Sequence, residues 1–203
     1  MAFPTVSAPY GLKPINRLDG MPYAGAVRHI QIVSGYGANI GFGDLVQIDT
    51  NGQCIRSAVT DGTSTYVAGV FVGCTFTNPV TKQKQFSQYW PTGTVASDAF
   101  AYVVDDPNAV FKAAVVSSGT TVTGLARTAI GANVAVINNA ADVNTGNSKI
   151  AVDGTTAPGT TSTYVLRVID VVDESEYDDN GTTKFQEVIV KINLHQYNNT
   201  AGI

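Results

Sequence analysis

The residues best suited to chemistry in this chain of 203 are few. The densest charge cluster is Asp173-Glu174-Ser175-Glu176-Tyr177-Asp178-Asp179-Asn180-Gly181. With Gly181 as the sixth residue of a calcium loop, Glu176, Asp178 and Asn180 fall at positions one, three and five and Glu187 at position twelve. That spacing would present hard oxygen ligands to a cation. Position one should be aspartate, however, Lys184 takes position nine, and β-branched runs flank the loop where helices belong. The expectation is a solvated hairpin tip, with weak cation binding by Glu176, Asp178, Asn180 and Glu187 as the alternative.

His29 and His195 stand far apart and outside any short ligand motif, which predicts surface or interface residues. Cys54 and Cys74 lie in or beside apolar strand-like runs and lack metal-ligand spacing, so buried reduced thiols are expected, a cross-strand disulfide being the other option. Glycines 35, 37, 41 and 43 suggest a phosphate cradle, but Asp44-Leu45-Val46-Gln47-Ile48 resumes a strand where such a loop must open a helix. They are read as a connection between strands. Asp105-Asp106-Pro107-Asn108 is read as a turn in preference to an acid/base couple or a metal site. Asp44, Asp98, Asp105 and Asp106 are available to a two-carboxylate hydrolase, which needs two of them facing each other across a cleft, and sequence alone sets no two of them opposite one another. No nucleophile elbow, Cys-His signature or deaminase pattern occurs. No enzymatic activity and no cofactor are expected. Trp90 is expected in the core; with Tyr89 it could otherwise form a sugar platform or an interface hot spot.

The elements that would position these residues are strands. Hydrophobic content is 44% with 14% charged residues and 20 glycines, a balance that supports many short strands joined by turns. The net charge of −4 argues against a nucleic-acid partner, which calls for a basic face. No apolar run approaches the ~20 residues of a spanning helix, so no membrane partner is expected. The first residues lack a basic start and an apolar signal core, which predicts synthesis in the cytosol.

Prolines at 4, 9, 14 and 22 exclude a helix or an uninterrupted strand over residues 1–25. This predicts an extended arm whose apolar anchors lie along its own domain or a neighbouring subunit. Residues 26–203 read as one β-rich domain, with a linker-like stretch near 154–162. Strands are expected at 26–33, at 45–48 and 53–56 as an Asn-Gly hairpin, at 66–76 with bends or bulges at Gly69 and Gly73, and at 83–90, 95–104, 110–115, 133–137, 164–172 and 185–194. Residues 71–104, which hold the single tryptophan, are the expected centre of the core. Thr120 to Ala129 is ambiguous, and a short helix is expected there from the spacing of Val122, Leu125, Ala126 and Ala129. The fold class is all-β, a β-barrel or β-sandwich with an extended N-terminal arm and at most one or two short helices.

Several stretches occur together in order: Pro9-Tyr10-Gly11-Leu12-Lys13-Pro14 with Arg17-Leu18-Asp19-Gly20, Gly35 to Asp44, Gly69-Val70-Phe71-Val72-Gly73-Cys74, Phe86-Ser87-Gln88-Tyr89-Trp90-Pro91 and Asp105-Asp106-Pro107. In these the chain resembles head-decoration (capsid cement) proteins of short-tailed marine and freshwater bacteriophages. The resemblance implies a structural virion protein, made in the host cytoplasm, that binds the exterior of the assembled capsid as a homotrimer and bridges major capsid protein subunits. The arm residues Phe3, Tyr10, Leu12, Ile15, Leu18 and Tyr23 are the expected capsid or subunit contacts. The alternatives are a phage tail, fibre or carbohydrate-binding β module, in which exposed aromatics such as Tyr89 and Tyr102 would contact glycans, and a shell-forming capsid component.

Overall fold

A computed structural model describes residues 9–59, 64–117, 121–172 and 185–198. The all-β expectation holds. In chain order the strands are β1 (Lys13–Arg17), β2 (Arg28–Gln31), β3 (Leu45–Ile48), β4 (Cys54–Arg56), β5 (Gly69–Thr77), β6 (Lys84–Ser87), β7 (Phe100–Val104), β8 (Ala109–Ser117), β9 (Thr121–Val122), β10 (Asn133–Val134), β11 (Val136–Ile137), β12 (Ala151–Asp153), β13 (Leu166–Val171) and β14 (Glu187–Ile192). Two 3₁₀ turns, Arg127–Ala129 and Gln196–Asn198, are the helical pieces among the described residues.

The larger sheet runs β10-β13-β14-β8-β12-β11, with β1 and β9 also paired to β8. Its two ends, β10 and β11, are separated in sequence by Ala135 alone, so the sheet closes nearly into a barrel. The run 133–137, expected as one strand, is therefore two: β10 bonds β13, β11 bonds β12, and the Ala135 carbonyl accepts from Asp153 N at 3.0 Å. The barrel interior follows from alternation along its strands. Phe111, Ala113 and Val115 of β8, Val188, Val190 and Ile192 of β14, and Leu166 and Val168 of β13 all face it. A bulge between Val168 and Asp170 resets that alternation, so Val171 also turns inward.

The second sheet runs β2-β7-β5-β3-β4, with β6 also paired to β5. The Asn-Gly hairpin forms as expected: Asp49 accepts from the amides of Asn51 and Gln53, and Gly52 takes φ +75°. Both glycines of β5 have steric reasons. A Cβ on Gly69 would sit 2.1 Å from the Val104 carbonyl oxygen, and Gly73 holds φ +139° beside the bulge in the pairing of β5 with β7.

The sheets share their middle. Leu45, Val70 and Val104 pack into the barrel core, while their chain neighbours Val46, Phe71 and Val103 pack with Phe76, Trp90, Cys54 and Cys74 in a second core. Strands β3, β5 and β7 are thus apolar on both faces, and most of the second core comes from residues 71–104, as the aromatic content there predicts. The C-terminal segment stitches the sheets together. The Gln196 side-chain amide accepts from Ile48 N at 2.9 Å and donates to Ile48 O at 3.0 Å.

One expectation needs correction. Thr120 to Ala129 is no short α-helix, since β9 and a single 3₁₀ turn occupy its described part. The buried Gln186 side chain accepts from Leu125 N and donates to Leu125 O, taking backbone groups that a helix would use. Of the two courses expected of the N-terminal arm, its described part takes the first and lies along its own domain. Leu12 is wholly buried in the barrel core and β1 pairs with β8, with a register shift between Pro14 and Asn16. The linker-like stretch near 154–162 folds back on the barrel through the Asn133–Gly159 bridge and the bond from Gly154 N to Val116 O.

Candidate functional site

The residues singled out for chemistry are dispersed. Glu176, Asp178 and Asn180 lie outside the described residues, and Glu187 accepts from Tyr10 Oη and pairs with Lys112 at 3.0 Å on the sheet. Among the described residues no group of three His, Cys, Asp or Glu side chains converges. The four aspartates each have structural partners. Asp98 accepts from Thr77 N and Oγ, which holds its carboxyl below the usual range. Asp105 pairs with Arg28 and Asp106 with Arg17, while Asp106 also accepts from Asn108 N to close the turn.

Asp44 is the most deeply placed. Fully buried, it accepts from Gly41 N and Ser148 Oγ and pairs with Arg56 Nε at 3.2 Å. Arg56 in turn donates to the Asn138 side chain and the Asn139 carbonyl. Burial raises the Asp44 carboxyl above its usual range against the pull of Arg56, Ser148 and Gly41. This network ties β3 and β4 to the loops beside the barrel, which is a structural task.

Cys54 and Cys74 are free and buried, as expected, with thiols pushed up to about 12 by burial. His29 is exposed, edge-on to Tyr102 at 4.6 Å. His195 corrects the surface expectation: it is fully buried, its Nδ1 accepts from Tyr197 N, and burial lowers its pKa to about 4. The apolar residues around it, Val67 and Leu194, carried no sequence signal that a histidine between them would be enclosed.

The expected contact residues separate into three groups. Phe3 lies outside the described residues. Leu12 is core, Tyr10 is half-buried with its hydroxyl on Glu187, and Tyr23 is half-buried against the barrel. Ile15 and Leu18 are exposed at 38% and 49%, and Met21 joins them at 58%. The tyrosine–tryptophan platform does not form, because Trp90 is wholly buried with Phe76 edge-on at 5.3 Å, and Tyr89 is half-buried at Gly146.

A different aromatic surface exists, on the outer face of the second sheet. Register places Tyr102 opposite both Gly73 and His29, and Thr75 opposite both Phe86 and Phe100. The Phe86 and Tyr102 rings are 11° from parallel with centroids 6.5 Å apart, and Phe86 is 77% exposed. Beside them opens a cleft of about 530 Å³ whose lining includes Lys13, Phe42, Gly73, Gln88 and Asn147. The Gln88 amide donates to the Asn147 side chain at 2.7 Å across its rim. The Phe86/Tyr102 pairing depends on the bulge near Gly73, which residue spacing alone does not reveal.

Comparison with known family models, curated proteins and solved structures finds no match for this chain.

Proposed function

We propose that this protein is a structural virion protein, a decoration protein that binds the outer surface of an assembled phage head as a homotrimer and bridges major capsid protein subunits. The observation that carries this reading is the state of the N-terminal segment. Leu12 anchors it in the barrel core and β1 pairs it to β8, yet Ile15, Leu18 and Met21, a group of apolar side chains, remain toward solvent. Exposed apolar groups on a fixed edge element favour a second surface, since fully burying an exposed side chain of this size contributes about 1.5–3 kcal/mol and these, 38–58% exposed, have roughly half of that left to gain. The resemblance supplies the partner.

The mechanism would be thermodynamic. A ligand that binds the assembled, expanded shell and not the free subunits stabilises the shell by mass action, and three linked copies raise the effective concentration of each contact. The test is co-sedimentation of the recombinant protein with expanded heads of the phage that encodes it, followed by thermal melting of the heads. Saturable binding with a raised melting temperature supports the reading. Heads that neither bind the protein nor gain stability reject it.

A further inference from the structure

The outer face of the second sheet carries chemistry that shell binding does not use. Two near-parallel rings, Phe86 and Tyr102, stand beside the open cleft, and His29 packs edge-on against the second of them. A volume of about 530 Å³ is that of a small-ligand site. Its rim is polar: Gln88 and Asn147 present side-chain amides, and Ser87 a hydroxyl. Lys13 is the single ionisable cation of the lining, which contains no carboxylate, although the whole chain has a net charge of −4. Its ammonium lies 4.4 Å from the centre of the Tyr10 ring, and Glu187, the carboxylate bound to Tyr10, is already paired with Lys112.

Flat ring faces, amides at the rim and a lone cation match one ligand class closely. A pyranose presents an apolar C–H face to an aromatic ring and hydroxyls to amide groups, and a carboxylate on the sugar would answer Lys13. A nucleic acid calls for a basic face along its phosphates, whereas the single cation of the lining answers one carboxylate of a sugar. We propose that this cleft binds an acidic oligosaccharide, a chain of pyranoses that carry carboxylates. Phe86 and Tyr102 supply the stacking surface, Gln88 and Asn147 orient hydroxyls, and Lys13 selects for the acid.

The test is calorimetric titration of the full chain with an oligogalacturonate and with an uncharged cello-oligosaccharide of equal length. Saturable binding of the oligogalacturonate is expected, with tighter affinity than the uncharged sugar. Phe86→Ala should weaken it about tenfold, Phe86→Trp should retain it, and Lys13→Gln should abolish the preference for the acidic sugar. Phe86 is exposed, so its replacement leaves the fold intact, and an unchanged thermal melt verifies this. Tyr102→Ala should weaken binding in the same way. Absence of saturable binding at millimolar sugar overturns the proposal, as does equal affinity in Phe86→Ala. Loss of head attachment in Phe86→Ala, without sugar binding by the parent protein, would assign this face to a protein partner and equally overturn it.

Discussion

Trp90, Asp44 and His195 are all fully buried, but each for a different physical reason and with a different consequence when changed. Trp90 fills the second core, so Trp90→Ala should cost about 3–5 kcal/mol in urea unfolding. Its indole Nε1 has no hydrogen-bond partner among the described residues, so Trp90→Phe should cost much less. Asp44→Ala would leave the Arg56 guanidinium, 17% exposed, without its counter-charge and should destabilise by about 3–5 kcal/mol in the same assay. His195 is held neutral, with a folded pKa of about 4 against 6.5 for a free histidine. Its contribution is therefore complete above pH 6.5 and is lost as pH falls toward 4. Urea midpoints should drop over that window, and His195→Gln should flatten the drop. Sequence revealed the fate of Trp90 and the cysteines because their apolar neighbours announce a core. It did not reveal that of His195, whose burial arises from a bridge between Val67, just before β5, and a C-terminal segment more than a hundred positions away in the chain.

Among the elements, β1 belongs to the expected arm and takes the course along its own domain. Four prolines mark residues 1–25 as irregular, and the register shift in β1 shows their effect, but one residue, Leu12, commits the segment to its own barrel. Removing residues 1–25 should therefore destabilise the protein strongly, and a truncated chain would be an ambiguous probe of attachment. The double variant Ile15→Ser/Leu18→Ser is the better one: its melting temperature should stay within a few degrees of the parent while head binding weakens at least about tenfold. Equal binding would remove β1 from the contact surface. The hairpin of β3 and β4 was legible because Asn-Gly favours one turn geometry. The split of β10 from β11 was not, since it follows from barrel closure at Ala135, a non-local requirement that no short window of sequence contains.

The molecule as a whole is two cores with strands in common. Because β3, β5 and β7 contribute side chains to both, neither core can lose its partner without losing part of itself, and unfolding should be a single transition. Trp90 fluorescence, which reports the second core, and far-ultraviolet circular dichroism, which reports all strands, should give coincident urea curves. Separate midpoints would mean that the cores are independent. The apolar group of Ile15, Leu18 and Met21 and the aromatic cleft, which reaches β1 at Lys13, are the surfaces on which the proposed contacts rest. The measurement that tests this most directly is a cryo-electron-microscopy map of the virion of the phage that encodes the protein. The proposal predicts three-fold clusters of this two-core body on the outside of the head, with Ile15 and Leu18 against the major capsid protein. Density for the body in the tail alone, or none on the head, would contradict it.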